Sequence, residues 1–114
     1  SQTWYGRCRM IKWVSIFRKR PGMSDQDFLR HWREVHVPLV KKLPGLRKYV
    51  QSRTVEVVGG MHFDGISEMW FDDLQAVQKL LETPEWEQAR RDAENFLDVK
   101  SVTRILTEEY VAFG

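Results

Sequence analysis

Cysteine is nearly absent. Cys8 is the single one in 114 residues, so no intrachain disulfide can form, and zinc sites built on cysteine pairs are excluded. Long hydrophobic runs are absent as well. No stretch approaches the ~20 apolar residues of a membrane span, and no signal-peptide pattern is visible, so the expected location is the cytoplasm with no membrane partner. Charge of one sign is lacking too. Eighteen Lys and Arg against sixteen Asp and Glu leave a net +2. The basic clusters, such as Arg18-Lys19-Arg20 and Arg90-Arg91, are short and mostly have acids nearby. They read as solvated faces, and no nucleic-acid partner is expected. Repeats, low-complexity tracts and linkers are missing. One domain over residues 10–114 is expected, preceded by a polar, basic extension over residues 1–9.

Tryptophan, in contrast, is abundant. Trp4, Trp13, Trp32, Trp70 and Trp86 supply apolar area for a core, a subunit interface or a pocket for a flat ligand. The patterning predicts alternating strands and helices. Met10–Phe17 reads as a strand with Trp13, Ser15 and Phe17 on one face. Ser24 caps a helix with Asp25 and Asp27 in its first turn and Phe28, Trp32, Val35 and Leu39 on one side. Pro38 removes a backbone donor and clashes with the carbonyl of Glu34, so a break or kink near His36-Val37 is expected. Residues 46–58 and 65–71 read as two further strands, the latter with Ile66, Glu68 and Trp70 sharing a face. Asp72 or Asp73 caps a helix to about Leu81. Thr83-Pro84 starts another, with Trp86, Ala89, Ala93 and Phe96 inward. Residues 99–113 supply a last strand. The order β-α-β-β-α-β predicts an α+β, ferredoxin-like fold with an antiparallel sheet. Its uncovered face carries large apolar residues, so a symmetric partner closing the two sheets into a barrel-like dimer is expected.

Few residues can carry chemistry. His36 sits beside the apolar stripe at the proline, and reads either as a packed structural histidine or as a proton carrier. His31, five residues earlier, is about 500° around a regular helix and need not share its face. His62 falls in a loop. Three histidines without metal spacing predict no metal site. Glu68 lies in an apolar strand, where a carboxylate is costly unless it is ion-paired across the sheet or held for acid/base work. Tyr49, between Arg47 and Gln51 on its own face, can donate a hydrogen bond to a ligand oxygen. His31, Trp13, Trp32 and Trp70 are candidate pocket walls.

The run SDQDFLRHWREVHVPL over residues 24–39, Pro44-Gly45-Leu46, Lys48-Tyr49 and the segment from Glu68 to Asp98 together resemble the EthD family across nearly the whole chain. The resemblance implies a ferredoxin-like domain pairing into a dimeric α+β barrel. The family takes its name from a protein linked to ethyl tert-butyl ether degradation. Relatives include 4-methylmuconolactone methylisomerase, which needs no cofactor. It has a histidine before a Pro-Gly-Leu segment, a tyrosine after it and an acid on a later strand, and His36, Tyr49 and Glu68 fall at the matching places. The resemblance thus implies cofactor-independent isomerase or lyase chemistry on a small oxygenated, cyclic or aromatic compound. A non-catalytic binding protein of a degradation cluster and a cofactor-free monooxygenase are the alternatives.

Overall fold

The side chains of Ile11, Trp13, Ser15 and Phe17 are buried and those between them are half-exposed, the period-2 signature of a strand covered on one face. The same alternation recurs at Gly65, Ser67, Met69 and Phe71. Both stripes face the same helical layer. The structure, a computed structural model, describes residues 10–114. The 1–9 extension, with Trp4 and Cys8, lies outside the described residues. Four strands, β1 (Ile11–Phe17), β2 (Lys48–Arg53), β3 (Gly65–Phe71) and β4 (Thr103–Glu108), form one sheet in the order β2-β3-β1-β4. Every pairing is antiparallel. With the helices following β1 and β3, this is the ferredoxin-like β-α-β-β-α-β arrangement.

Local chemistry starts each helix. The Ser24 hydroxyl accepts from the Asp27 N–H ahead of α1 (Asp25–Arg30). Asp73 caps α3 (Leu74–Leu80) through the Ala76 N–H. The Thr83 hydroxyl caps α4 (Pro84–Ala93), where Pro84 takes the first position and needs no N–H partner. The irregularity expected at Pro38, a break or kink, takes the form of a widening. His31–His36 forms a π-helical turn that continues directly into α2 (Val37–Val40). The wider i→i+5 turn accommodates the proline, which lacks an N–H, and the backbone stays helical through Val40.

Two expected strands are shorter than their apolar composition suggests. β2 stops at Arg53, which pairs with Gly65 at the start of β3, and only one backbone bond follows, from the Thr54 N–H to the Asp64 carbonyl at 3.0 Å. Residues 99–113 begin with a 3₁₀ turn, Val99–Ser101, capped by Asp98. Only Thr103–Glu108 then pairs with β1.

The core between sheet and helices has two halves. One gathers Ile11, Trp13, Met69, Phe71, Val77 and Leu80. The other stacks Phe17, Phe28, Trp32 and Phe96, with Phe28 and Trp32 ring centroids 5.3 Å apart. Gly65 permits the second half to close. A Cβ there would stand 2.8 Å from Cη2 of Trp32 and 3.0 Å from Cε1 of Phe17, a contact only glycine avoids. No helix among the described residues is long and apolar enough to cross a membrane.

Candidate functional site

A cavity that opens to solvent separates the two halves of the core. Trp32, Phe96 and Ala93 wall it on one side, Val40, Leu43, Met69 and Ala89 on the other, with His36 and Tyr49 among its polar lining. The gap exists because Ser15 and Ser67, paired across β1 and β3, occupy the floor where their strand neighbours are Trp13, Phe17 and Met69. Two hydroxymethyl groups cannot fill that volume.

One carboxylate organises the polar side. Asp92, on α4 and only 8% exposed, stands 2.9 Å from His36 Nδ1 through Oδ2 and 2.9 Å from His31 Nε2 through Oδ1. The Asn95 amide donates to the same Oδ1 at 3.0 Å. The π-helical turn makes this convergence possible. In an i→i+5 turn, residues five apart lie roughly one above the other, so His31 and His36 share a face that a regular helix would deny them. The expectation from regular-helix geometry is corrected accordingly. Phe96 packs against both rings, at 5.0 Å from His31 and 4.9 Å from His36.

Electrostatics assign the protons. Burial pushes the Asp92 carboxyl up, but hydrogen bonds from Asn95, His31 and His36 outweigh it and leave the group below its ordinary value. Asp92 is therefore ionised near neutral pH and can only accept. Burial likewise holds the His36 pKa below 6.5, with the Asp92 contact opposing. Near pH 7, His36 is a neutral imidazole whose Nδ1–H donates to Asp92. Its Nε2 keeps the lone pair and makes no hydrogen bond to any described residue. Tyr49 is also held by local contacts. Gln51 Nε2 donates to its Oη at 2.8 Å and to the Trp32 carbonyl at 3.0 Å. Burial raises the Tyr49 pKa, with the Gln51 and Trp32 side chains pulling the other way. The phenol stays protonated and retains a donor.

The structure thus gathers His31, His36, Tyr49 and Trp32 around one space. It does not gather the other sequence candidates there. Glu68 and Trp70 alternate with Ser67 and Met69 and so lie on the opposite face of the sheet. Lys12 Nζ pairs with Glu68 at 2.9 Å, which accounts for a carboxylate in that strand without a dry pocket. The Trp70 indole donates to Glu109 at 3.1 Å, with Lys48 Nζ 4.7 Å from its ring centroid. Trp13 lies under the cavity, packed on Trp86 at 4.8 Å, and Trp86 is the one that reaches the cavity wall. His62 pairs with Asp64 at 2.9 Å in its loop. No group of metal-ligating side chains occurs among the described residues. Asp92 is the residue that sequence reasoning missed. Its signal was an acid three residues after Ala89 and four before Phe96, on the inward stripe of a helix.

Residues 20–100 match the EthD domain model. The chain belongs to the EthD family. An EthD-family protein from Bacillus halodurans C-125 is 31% identical, with a TM-score of 0.76 over 89% of this chain and 99% of that one. A dimeric ferredoxin-like protein from Bacteroides fragilis is 18% identical, with a TM-score of 0.66 over 88% of this chain and 96% of that one. A hydroxynitrile lyase from Passiflora edulis has a TM-score of 0.74 at 9% identity, covering 92% and 97% of the two chains. The last two share the fold with this EthD domain.

Proposed function

We propose that this EthD protein is a cofactor-independent enzyme that moves a proton on a small oxygenated cyclic or aromatic compound, in an isomerase- or lyase-type step. The carrying observation is the Asp92–His36 pair, which leaves a neutral imidazole nitrogen without a partner among the described residues at a largely apolar cavity. His36 Nε2 accepts the proton. Asp92 stabilises the imidazolium that results and keeps the ring in the tautomer that presents Nε2. Tyr49 donates to the oxygen on which charge develops, and the aromatic walls strengthen that bond by excluding water. The lyase from Passiflora edulis lends the fold a precedent for this reaction class. A homodimer is part of the reading: Val14, Ile16, Ile66 and Trp70 leave the outer sheet face half-buried at best, as a partner sheet requires.

The test uses 4-methylmuconolactone and an aromatic cyanohydrin as probes in deuterium oxide, followed by NMR. Isomerisation, cleavage or deuterium uptake is expected, and His36→Asn should slow it by on the order of 10²–10⁴. Unchanged rates in the Asn variant would remove His36 from the chemistry. Binding without conversion would favour an accessory ligand-binding protein, and oxygen consumption would favour a monooxygenase.

A further inference from the structure

The cavity floor has a pattern that proton transfer alone does not use. In register, Gln51 faces Ser67, Ser67 faces Ser15, and Ser15 faces Arg104. These four residues form one polar row across all four strands, on the face that looks at the helices. The adjoining row, Tyr49, Met69, Trp13 and Leu106, is apolar but for the tyrosine hydroxyl and the Trp13 indole N–H, which has no partner among the described residues. Ser15 and Ser67 are 8% and 9% exposed, and their hydroxyls bond to no described residue. Arg104 closes the row. Its guanidinium lies 6.0 Å from the Trp86 ring centroid, and no described carboxylate is within ion-pairing distance. Arg90, also in the lining, is occupied by Glu87 at 2.5 Å.

We infer that this cavity takes a carboxylate-bearing ligand, seated with its anionic end on Arg104 and its ring over the serine pair, the far end reaching His36 and Tyr49. This deepens the proposed reading and rests on it for the presence of a ring compound in the cavity. A planar guanidinium without a carboxylate partner matches a carboxylate's two oxygens, and the Trp86 face holds it flat. Desolvation and the charge of Arg90 press the Arg104 pKa down although the residue is solvent-exposed, and an anion would offset the repulsion from Arg90. The span fits as well. Strands lie roughly 4.8 Å apart, so the row from β3 to β4 measures about 10 Å, the length of a one- or two-ring acid. Ser15 and Ser67 then supply donors to ring oxygens midway.

The test is a matched pair, naphthalene-2-carboxylate and 2-naphthamide, which share shape and differ in charge. Quenching of tryptophan fluorescence reads binding without any turnover, since Trp32 and Trp86 line the cavity. The carboxylate should bind roughly 10- to 100-fold tighter than the amide. Arg104→Gln should abolish the difference, and Arg104→Lys should restore part of it, because charge returns without the fork. Equal binding of the pair, no binding of either, or a preference that survives Arg104→Gln would overturn the inference. Because His36→Asn is scored by conversion and Arg104→Gln by charge discrimination, failure of one leaves the other standing.

Discussion

His36 Nδ1 and Asp92 Oδ2 meet at 2.9 Å across a sequence separation of 56 residues, joining the helical layer's first segment to its last. Oδ1 of the same carboxylate holds His31. Removing the charge while keeping the shape isolates its effect. Asp92→Asn takes away the carboxylate charge that raises the His36 pKa and leaves burial and the nearby His31, which lower it. An NMR titration of the imidazole should show His36 titrating at lower pH in the variant than in the parent. A rise, or no movement, would show that the carboxylate does not set the proton on His36. Asp92→Ala strands three donors, and urea unfolding should register a loss on the order of 2–3 kcal/mol.

Stability should depend on pH in a defined window. The His36 pKa is lower folded than unfolded, so between the lowered value and ~6.5 the unfolded chain binds the extra proton. The contribution of keeping His36 neutral is complete above ~6.5 and is lost as pH falls through that window toward the folded value. Asp92, also depressed, adds a second loss once pH drops below the ordinary carboxylate range. Denaturant melts should therefore be flat from pH 7 to 8 and decline from ~6.5 downward. His36→Asn should flatten the upper part of that decline and leave the more acidic part in place.

Assembly gives a third outcome. If the outer sheet face meets its copy, a charge in its middle should separate the pair. Ile66→Asp, on β3 and flanked by Val14 and Ile16 on β1, should give a monomer by light scattering where the parent runs as a dimer. The helix-side cavity should still bind the naphthoate probe in any folded monomer. A parent that is monomeric at micromolar concentration would rule out the paired sheets.

Much of this architecture was legible because it is local. Ser24, Asp73 and Thr83 cap their helices as polar residues ahead of an amphipathic stretch do, and alternation in 65–71 marked β3 from end to end. Which face of β3 is covered was not local. Ile66, Glu68 and Trp70 read as well for a pocket wall as Ser67, Met69 and Phe71 do, and only the packing of α3 and α4 decides between them. Of the three residues matched through the family resemblance, His36 and Tyr49 line one cavity, whereas Glu68 faces the other side of the sheet and pairs with Lys12. Asp92 escaped because an acid on a charged helix reads as solvated, although its step of three from Ala89 placed it inward. Pro38 signalled irregularity without saying that the helix would widen rather than end.

The widened turn means that this site depends on chain length as much as on residue type. An extra residue is lodged between His31 and His36, and nothing about either imidazole compensates for its loss. Shortening that turn by one position would let the backbone relax to regular helix and rotate everything after it by about 100°. Val40 would swing away from Met69, and one imidazole would leave the carboxylate while every side chain named in the site was still present. A sequence comparison scored only on matching letters would rate such a chain nearly identical. Its geometry would belong to a different protein.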